Sequence, residues 1–302
     1  MVKTGFLTAL CVLTLMIFFM GVMPASTRAE VDTEKAKEMY NEGLKAASEG
    51  KTDQAIISYK TALGLDPGFI DPYLNLGAIY FEKKQYGDAL EMFKKASEKD
   101  PNNIDALANI GRVEYKLTKY PEAATAFKAA IALENQKVDL YTELARVYYQ
   151  QQNFSELVTT LETCHQLGGG DDMSYYMLGK GYQKQNNSNK AIEAFKKSLA
   201  NKSDNYNANF ALGQIYLDQE KFLNAANAFK EAYTNDNKKH LAYYNYAVAM
   251  ESNDPEAIDA NIKNWEEYIR IAKKNPKANS NVAIAQQHVK ELKERKEKLE
   301  IQ

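Results

Sequence analysis

A small residue returns every thirty-four positions along this chain, at Gly43, Gly77, Gly111, Ala145, Gly179, Gly213 and Ala247. Twelve residues after each of the first six stand Ala55, Ala89, Ala123, Leu157, Ala191 and Ala225. Four further on come Tyr59, Phe93, Phe127, Leu161, Phe195 and Phe229, and three beyond those Ala62, Ala96, Ala130, Cys164, Ser198 and Ala232. Four positions kept in register through six periods describe a copied structural unit, so the repeat partitions the 302 residues and the usual domain size does not. Within each period apolar residues recur at spacings of three and four in two runs, separated by a short polar break such as Lys84-Gln85. That spacing predicts two amphipathic helices lying antiparallel. A glycine inside a helix costs about 1 kcal/mol relative to alanine. Gly77 is therefore expected to let two helices approach closely, with Tyr73, Tyr80 and Phe93 packing across the contact. One helix pair cannot bury both of its apolar faces, so successive pairs must stack.

Counted so that the small residue is eighth, the second period runs from Ile70 to Asn103 and contains Tyr73, Leu76, Gly77, Tyr80, Ala89, Phe93, Ala96 and Pro101. With those residues the chain resembles the tetratricopeptide-repeat family over residues 36–276. The resemblance implies an all-α fold, a right-handed α-solenoid of about seven antiparallel helix pairs, with residues 277–302 forming a C-terminal capping helix and charged tail. Pro67 and Pro101 fall between repeats, where they stop one helix and stiffen the turn into the next. The fourth repeat departs from the pattern with Leu157, Leu161 and Cys164 and ends in Gly168-Gly169-Gly170. No Gly-Lys-Ser/Thr follows those glycines and no strand precedes them, so they are read as a helix stop that loosens the joint to the fifth repeat. In the seventh repeat Asp254-Pro255 reads as a helix start, while Trp265, Tyr268 and Pro276 leave the expected spacing, as a terminal repeat must. From Ser280 onward Val282, Ile284, Ala285, Val289 and Leu292 predict one more helix, whose charged run from Lys290 to Glu300 is expected to be solvated and frayed.

Seven Pro and 15 Gly against 20 Tyr and 12 Phe suit helices better than turn-rich β structure. A net charge of -2 offers no general attraction to nucleic acid. The two cysteines, Cys11 and Cys164, exclude a disulfide scaffold and a cysteine-ligated zinc site. From Phe6 to Met23 no charged residue occurs, Lys3 precedes the run, and small residues at Thr27 and Ala29 follow it. This is the pattern of a secretory signal peptide over residues 1–29, cut after Ala29, or of an uncleaved N-terminal membrane anchor. Either reading places the bulk of the chain outside the cytoplasm, in a periplasm.

Catalytic chemistry has no foothold in the pattern. His165, His240 and His288 are isolated from one another and show no metal-ligand spacing, and no Gly-x-Ser-x-Gly elbow occurs. No cofactor, metal or enzyme activity is expected. The family resemblance implies instead that the first helix of each pair lines a concave groove through positions 2, 5, 6, 9, 12 and 13. Position 6 supplies Asn41, Asn75 and Asn109, a row of amides for the backbone of an extended peptide. Position 9 supplies Arg112, Arg146 and Lys180, flanked by Tyr115, Tyr149 and Tyr176 and by Lys116 and Lys184. Cations beside aromatics suit an acidic or carboxylate-bearing peptide. Two other readings stand beside it: the arginines pair with Asp105 and Asp139 of their own helices, or the tyrosines stack on a glycan such as peptidoglycan. The expected role is a non-catalytic protein-interaction scaffold in envelope or surface-structure assembly.

Overall fold

The computed structural model describes residues 32–235, 240–273 and 278–301, and these form fifteen α-helices and no strand. The all-α architecture of antiparallel helix pairs is as the periodicity requires. The leader residues 1–29 and Pro276 lie outside the described residues.

Helix α1 (Thr33–Ser48) pairs with α2 (Thr52–Leu65), and α3 (Ile70–Glu82) with α4 (Tyr86–Lys99). Next come α5 (Ile104–Lys116), α6 (Tyr120–Leu133), α7 (Val138–Gln150) and α8 (Phe154–Gln166). They are followed by α9 (Asp172–Lys184), α10 (Ser188–Asn201), α11 (Tyr206–Asp218) and α12 (Phe222–Asn235). From the second repeat to the sixth, every first helix begins at the first position of its thirty-four-residue period. The chain forms two compact units, residues 1–113 and 114–302, whose boundary falls inside α5.

In the first unit Tyr59 is buried against Ala46, Ala55 and Leu76. A Cβ on Gly43 would stand 2.5 Å from the Tyr59 ring, and one on Gly77 2.6 Å from the Phe93 ring. The glycines are thus sites of contact between the two helices of a pair, as expected, and Phe93 is fully buried there, whereas Tyr73 and Tyr80 are only half-buried. The polar break closes as a helix stop: Lys84 takes φ 59°, its N–H donates to Phe81 O at 2.9 Å, and Gln85 N–H donates to Tyr80 O at 2.8 Å. These paired bonds satisfy the carbonyls that the end of a helix leaves free. Gly50 makes the same turn with φ 75°.

In the second unit Thr118, Gln152, Asn186 and Glu220 repeat that turn with φ between 56° and 60°. Gly179 and Gly213 meet the rings of Phe195 and Phe229 at 2.6 Å, again with no room for a methyl. The glycine run after α8 does stop the helix, with Gly168 at φ 84° and Gly169 N–H donating to Cys164 O at 3.0 Å. It does not loosen the joint, for two physical reasons. A Cβ on Gly169 would stand 2.8 Å from Cys164 Sγ, so the turn is closely packed. Asp171 and the buried Ser174 then close a capping box on α9, with Ser174 N–H donating to Asp171 Oδ1 at 2.7 Å.

The seventh repeat corrects a second expectation. Helix α13 (His240–Asn253) runs through Ser252 and Asn253 of the expected start and ends before Asp254, and α14 (Ile258–Ala272) begins four residues beyond Asp254. Asp254 Oδ1 accepts from Glu256 N–H and Ala257 N–H, both at 3.2 Å, so it organises the turn between the helices rather than capping α14 directly. Trp265 and Tyr268 are fully buried in a cluster with Ile258, Ile262, Ala285 and Leu292. Helix α15 (Asn279–Glu300) supplies the last two and covers α14. Its charged run is solvated but held against α14 and the turn before it, where Lys293 Nζ lies 2.8 Å from Glu266, Lys296 Nζ 2.8 Å from Asp259 and Arg295 Nη2 2.5 Å from Glu256.

Candidate functional site: the face of the first helices

In the first unit the asparagine row is partly committed to its own neighbours. Asn41 is exposed on α1. Asn75 Nδ2 donates to Tyr40 Oη at 3.1 Å, and the Tyr40 ring leans on Phe69 at 5.0 Å and Tyr59 at 5.7 Å between centroids. Burial pushes the Tyr40 phenol above its ordinary pKa, and the bond from Asn75 opposes that shift. Asn109 Oδ1 accepts from Arg112 Nη1 at 2.8 Å, so the amide steers the guanidinium.

The second unit carries the stronger arrangement, on α7 and α9. Arg146 is exposed, and its guanidinium lies 3.8 Å from Glu143 one turn back, so the expected partner Asp139 is replaced by Glu143. Such a pair on the surface contributes little. Tyr149 and Tyr176 share a hydrogen bond, and the Tyr176 ring lies 5.8 Å from Phe195. Burial raises the Tyr176 phenol far above its ordinary pKa, and Tyr149 adds to the effect. One turn along α9, Lys180 is half-buried and donates to Gln183 Oε1 at 2.7 Å. Burial lowers its ammonium pKa, and the neighbouring Lys184 lowers it further. Two cations side by side, one partly desolvated and bonded to a neutral amide, create a positive potential that an anion would relieve. Tyr115 is half-buried, with its ring 5.7 Å from Tyr120.

The same face continues with a different chemistry. On α11 Phe210 and Leu217 are half-buried, with exposed Gln214 between them and exposed Asn207 one turn before Phe210. On α13 Leu241 is 45% exposed, and Tyr244 and Val248 are half-buried behind it. These residues stand at positions 2, 5, 9 and 12 of their repeats. The repeat numbering already placed Tyr244, Gln214 and Val248 on this face, but reasoning from charge, amides and tyrosines passed over Phe210, Leu217 and Leu241.

A second concavity, of about 380 Å³, opens between α8, α9 and α10 and is lined by Glu162, His165, Tyr175, Tyr182, Lys190 and Lys197. Its charges are matched internally: Lys190 Nζ lies 3.5 Å from Glu162, Lys197 Nζ lies 2.9 Å from Glu193, and Tyr182 Oη donates to Glu162. Lys190 and Lys197 also sit over the Tyr182 and Tyr175 rings. Among the described residues no cluster of His, Cys, Asp and Glu could hold a metal ion, and no helix is long and apolar enough to cross a membrane.

Comparison with known proteins agrees with this architecture. A profile of the family described as the cilia and flagella-associated protein 70 C-terminal domain matches residues 21–248. No curated protein sequence matches the chain. Among solved structures, the C-terminal part of a TPR repeat-containing protein from Cytophaga hutchinsonii is 17% identical, covers 82% of this chain and 98% of its own, and superposes with a TM-score of 0.64. YrrB, described as a TPR protein with an unusual peptide-binding site, is 18% identical over 62% of this chain and 95% of its own, with a TM-score of 0.55. The MamA protein is 26% identical over 57% of this chain and 93% of its own, with a TM-score of 0.53.

Proposed function

We propose, from the premise that this chain belongs to the tetratricopeptide-repeat family whose profile is the cilia and flagella-associated protein 70 C-terminal domain, that it is a non-catalytic scaffold. It binds a protein or an extended peptide on the face of the first helices. The observation that carries this reading is the half-buried Lys180 beside Lys184, with Tyr149 and Tyr176 alongside. A carboxylate-bearing peptide would neutralise the two lysines, and the tyrosines supply rigid contact area. A glycan is less well served, because the Tyr176 ring is half-buried against Phe195 and its hydroxyl is bonded to Tyr149.

The N-terminal residues supply the address. The uncharged run Phe6 to Met23 and the small residues before Glu30 suit an exported protein of a bacterial envelope, either freed after Ala29 or anchored by the run itself. Assembly of an envelope or surface structure is the process such a scaffold would serve. The decisive experiment is a pull-down from envelope fractions with the tagged chain and with an Arg146→Glu, Lys180→Glu, Lys184→Glu variant of unchanged helicity. The wild type should retain a defined set of proteins that the variant releases. Equal retention by both would overturn the assignment of the site, and fractionation to the cytoplasm would overturn the address.

A further inference from the structure

The face that carries the lysines does not end with them. From α9 to α13 its composition passes from Tyr176, Lys180 and Lys184 to Phe210 and Leu217, then to Leu241, Tyr244 and Val248. Leu241 and Met173, both at position 2 of their repeats, are 45% and 42% exposed on this face. Gln214, between Phe210 and Leu217, is the neutral counterpart of Lys180 one repeat earlier. We propose that the second unit binds a composite peptide: a carboxylate over Lys180 and Lys184, followed by apolar or aromatic side chains over Phe210, Leu217, Leu241 and Val248. This rests on the reading of the first-helix face as the binding surface and adds the chemistry and order of the ligand's residues.

The spacing follows from the repeat. First helices of successive repeats touch only lightly, so their axes stand at the wide end of helix packing, about 10 Å apart, and an extended chain advances about 3.3 Å per residue. An acidic side chain seated at α9 therefore places the residue about three positions away over α11 and the residue about six positions away over α13. A peptide of mixed character gains from both regions, whereas an all-acidic one leaves the apolar side chains wet and an all-apolar one leaves the lysines unmatched. The order also sets specificity: moving the acidic residue to the middle lays a carboxylate over Phe210 and Leu217, where no cation meets it.

Fluorescein-labelled synthetic peptides, with binding to the full chain in mild detergent followed by fluorescence anisotropy, test this. The probes are peptides with Asp-Asp followed by Leu three and Tyr six residues after the second Asp, the same peptide with Leu and Tyr changed to Ser, the same with Asp-Asp changed to Asn-Asn, and one with the acidic pair moved to the centre. The composite peptide is expected to bind at least tenfold more tightly than each of the other three. Lys184→Glu should remove the advantage over the Asn-Asn peptide, and Leu241→Asn the advantage over the Ser peptide. Both substitutions fall on exposed side chains. If the composite and Ser peptides bind equally, the apolar half is not a contact and this inference fails while the scaffold reading stands. If none of the four probes and no reversed-sequence composite peptide binds, the peptide-binding face itself is overturned.

Discussion

At the scale of single residues, the eighth and twenty-fourth positions of each repeat act as one unit. Where position 8 is Gly the facing side chain is a ring: Gly43 with Tyr59, Gly77 with Phe93, Gly179 with Phe195 and Gly213 with Phe229. Where position 8 is Ala145, position 24 is the smaller Leu161. The methyl group and the ring compete for the same space. Gly77→Ala should therefore destabilise the chain by about 1–3 kcal/mol, the usual result of overfilling a packed core, despite the helix preference of alanine. Urea unfolding checks this, and Gly77→Ala with Phe93→Leu should recover part of the loss. This coupling was legible in the sequence, because both partners repeat in register. The left-handed turn residues were not: Lys84, Thr118, Gln152, Asn186 and Glu220 share a backbone conformation but no side-chain type. The conformation is imposed by the helix stop and the pairing of the next helix, not by the residue placed there. Thr118 is the most strained of them, because a β-branched side chain fits φ 60° poorly. Thr118→Gly is expected to raise stability by about 1 kcal/mol, visible as a higher midpoint in the same measurement.

At the scale of elements, the joint between α8 and α9 combines a tight turn with a titratable group. His165 stacks on Tyr175 with centroids 4.1 Å apart, and its Nε2 meets Ser174 Oγ at 3.2 Å, inside the capping box that starts α9. Burial lowers the His165 pKa, the Lys197 ammonium lowers it further and Asp171 opposes them. The unfolded chain therefore takes up a proton at higher pH than the folded one. Its contribution is fully present above the unfolded value of about 6.5 and is lost as pH falls below that value toward the lowered folded one. Hydrogen exchange across residues 164–178, corrected for intrinsic rates, should accelerate between pH 7.5 and 5.5, and His165→Gln should flatten that dependence. If the two proteins show the same dependence, the histidine is not its source. Helix α15 behaves differently. The stretch from Ala285 to Leu292 is held in the apolar cluster, whereas the turns beyond it are held by exposed pairs to Glu256, Asp259 and Glu266. Salt screens exposed pairs and leaves apolar burial intact. Raising sodium chloride to about 1 M, where the screening length falls to about 3 Å, should speed exchange at residues 293–300 and not at residues 283–289.

At the scale of the whole molecule, a chain of repeats need not unfold in one step, because each repeat contacts only its neighbours. The single tryptophan makes the C-terminal end separately visible. Trp265 is fully buried, its Nε1 donates to Glu251 Oε2 at 2.7 Å, and the His288 ring of α15 stacks on it at 4.8 Å. Removing residues 279–302 should shift the tryptophan emission to longer wavelength while far-UV circular dichroism loses only the share of helix removed. In the intact chain the tryptophan transition in urea is expected at lower concentration than the loss of total helix, and coincident transitions would show a single cooperative block. The sequence by itself determined the period, the two helices per period, the starting positions of the first helices from the second repeat to the sixth and the close approach at the glycines. All of these follow from apolar spacing and side-chain size, which act locally and are copied in every repeat. Helix spacing already set Lys184 beside Lys180, but only the tertiary structure decided which polar groups meet across helices, Asn75 with Tyr40 and the charged end of α15 against α14, and that Arg146 takes Glu143 rather than Asp139. The partners across helices are far apart in the chain, and no rule within one helix specifies them. Their pairing depends on rotamers, burial and neighbouring charge, which exist only once the helices have packed.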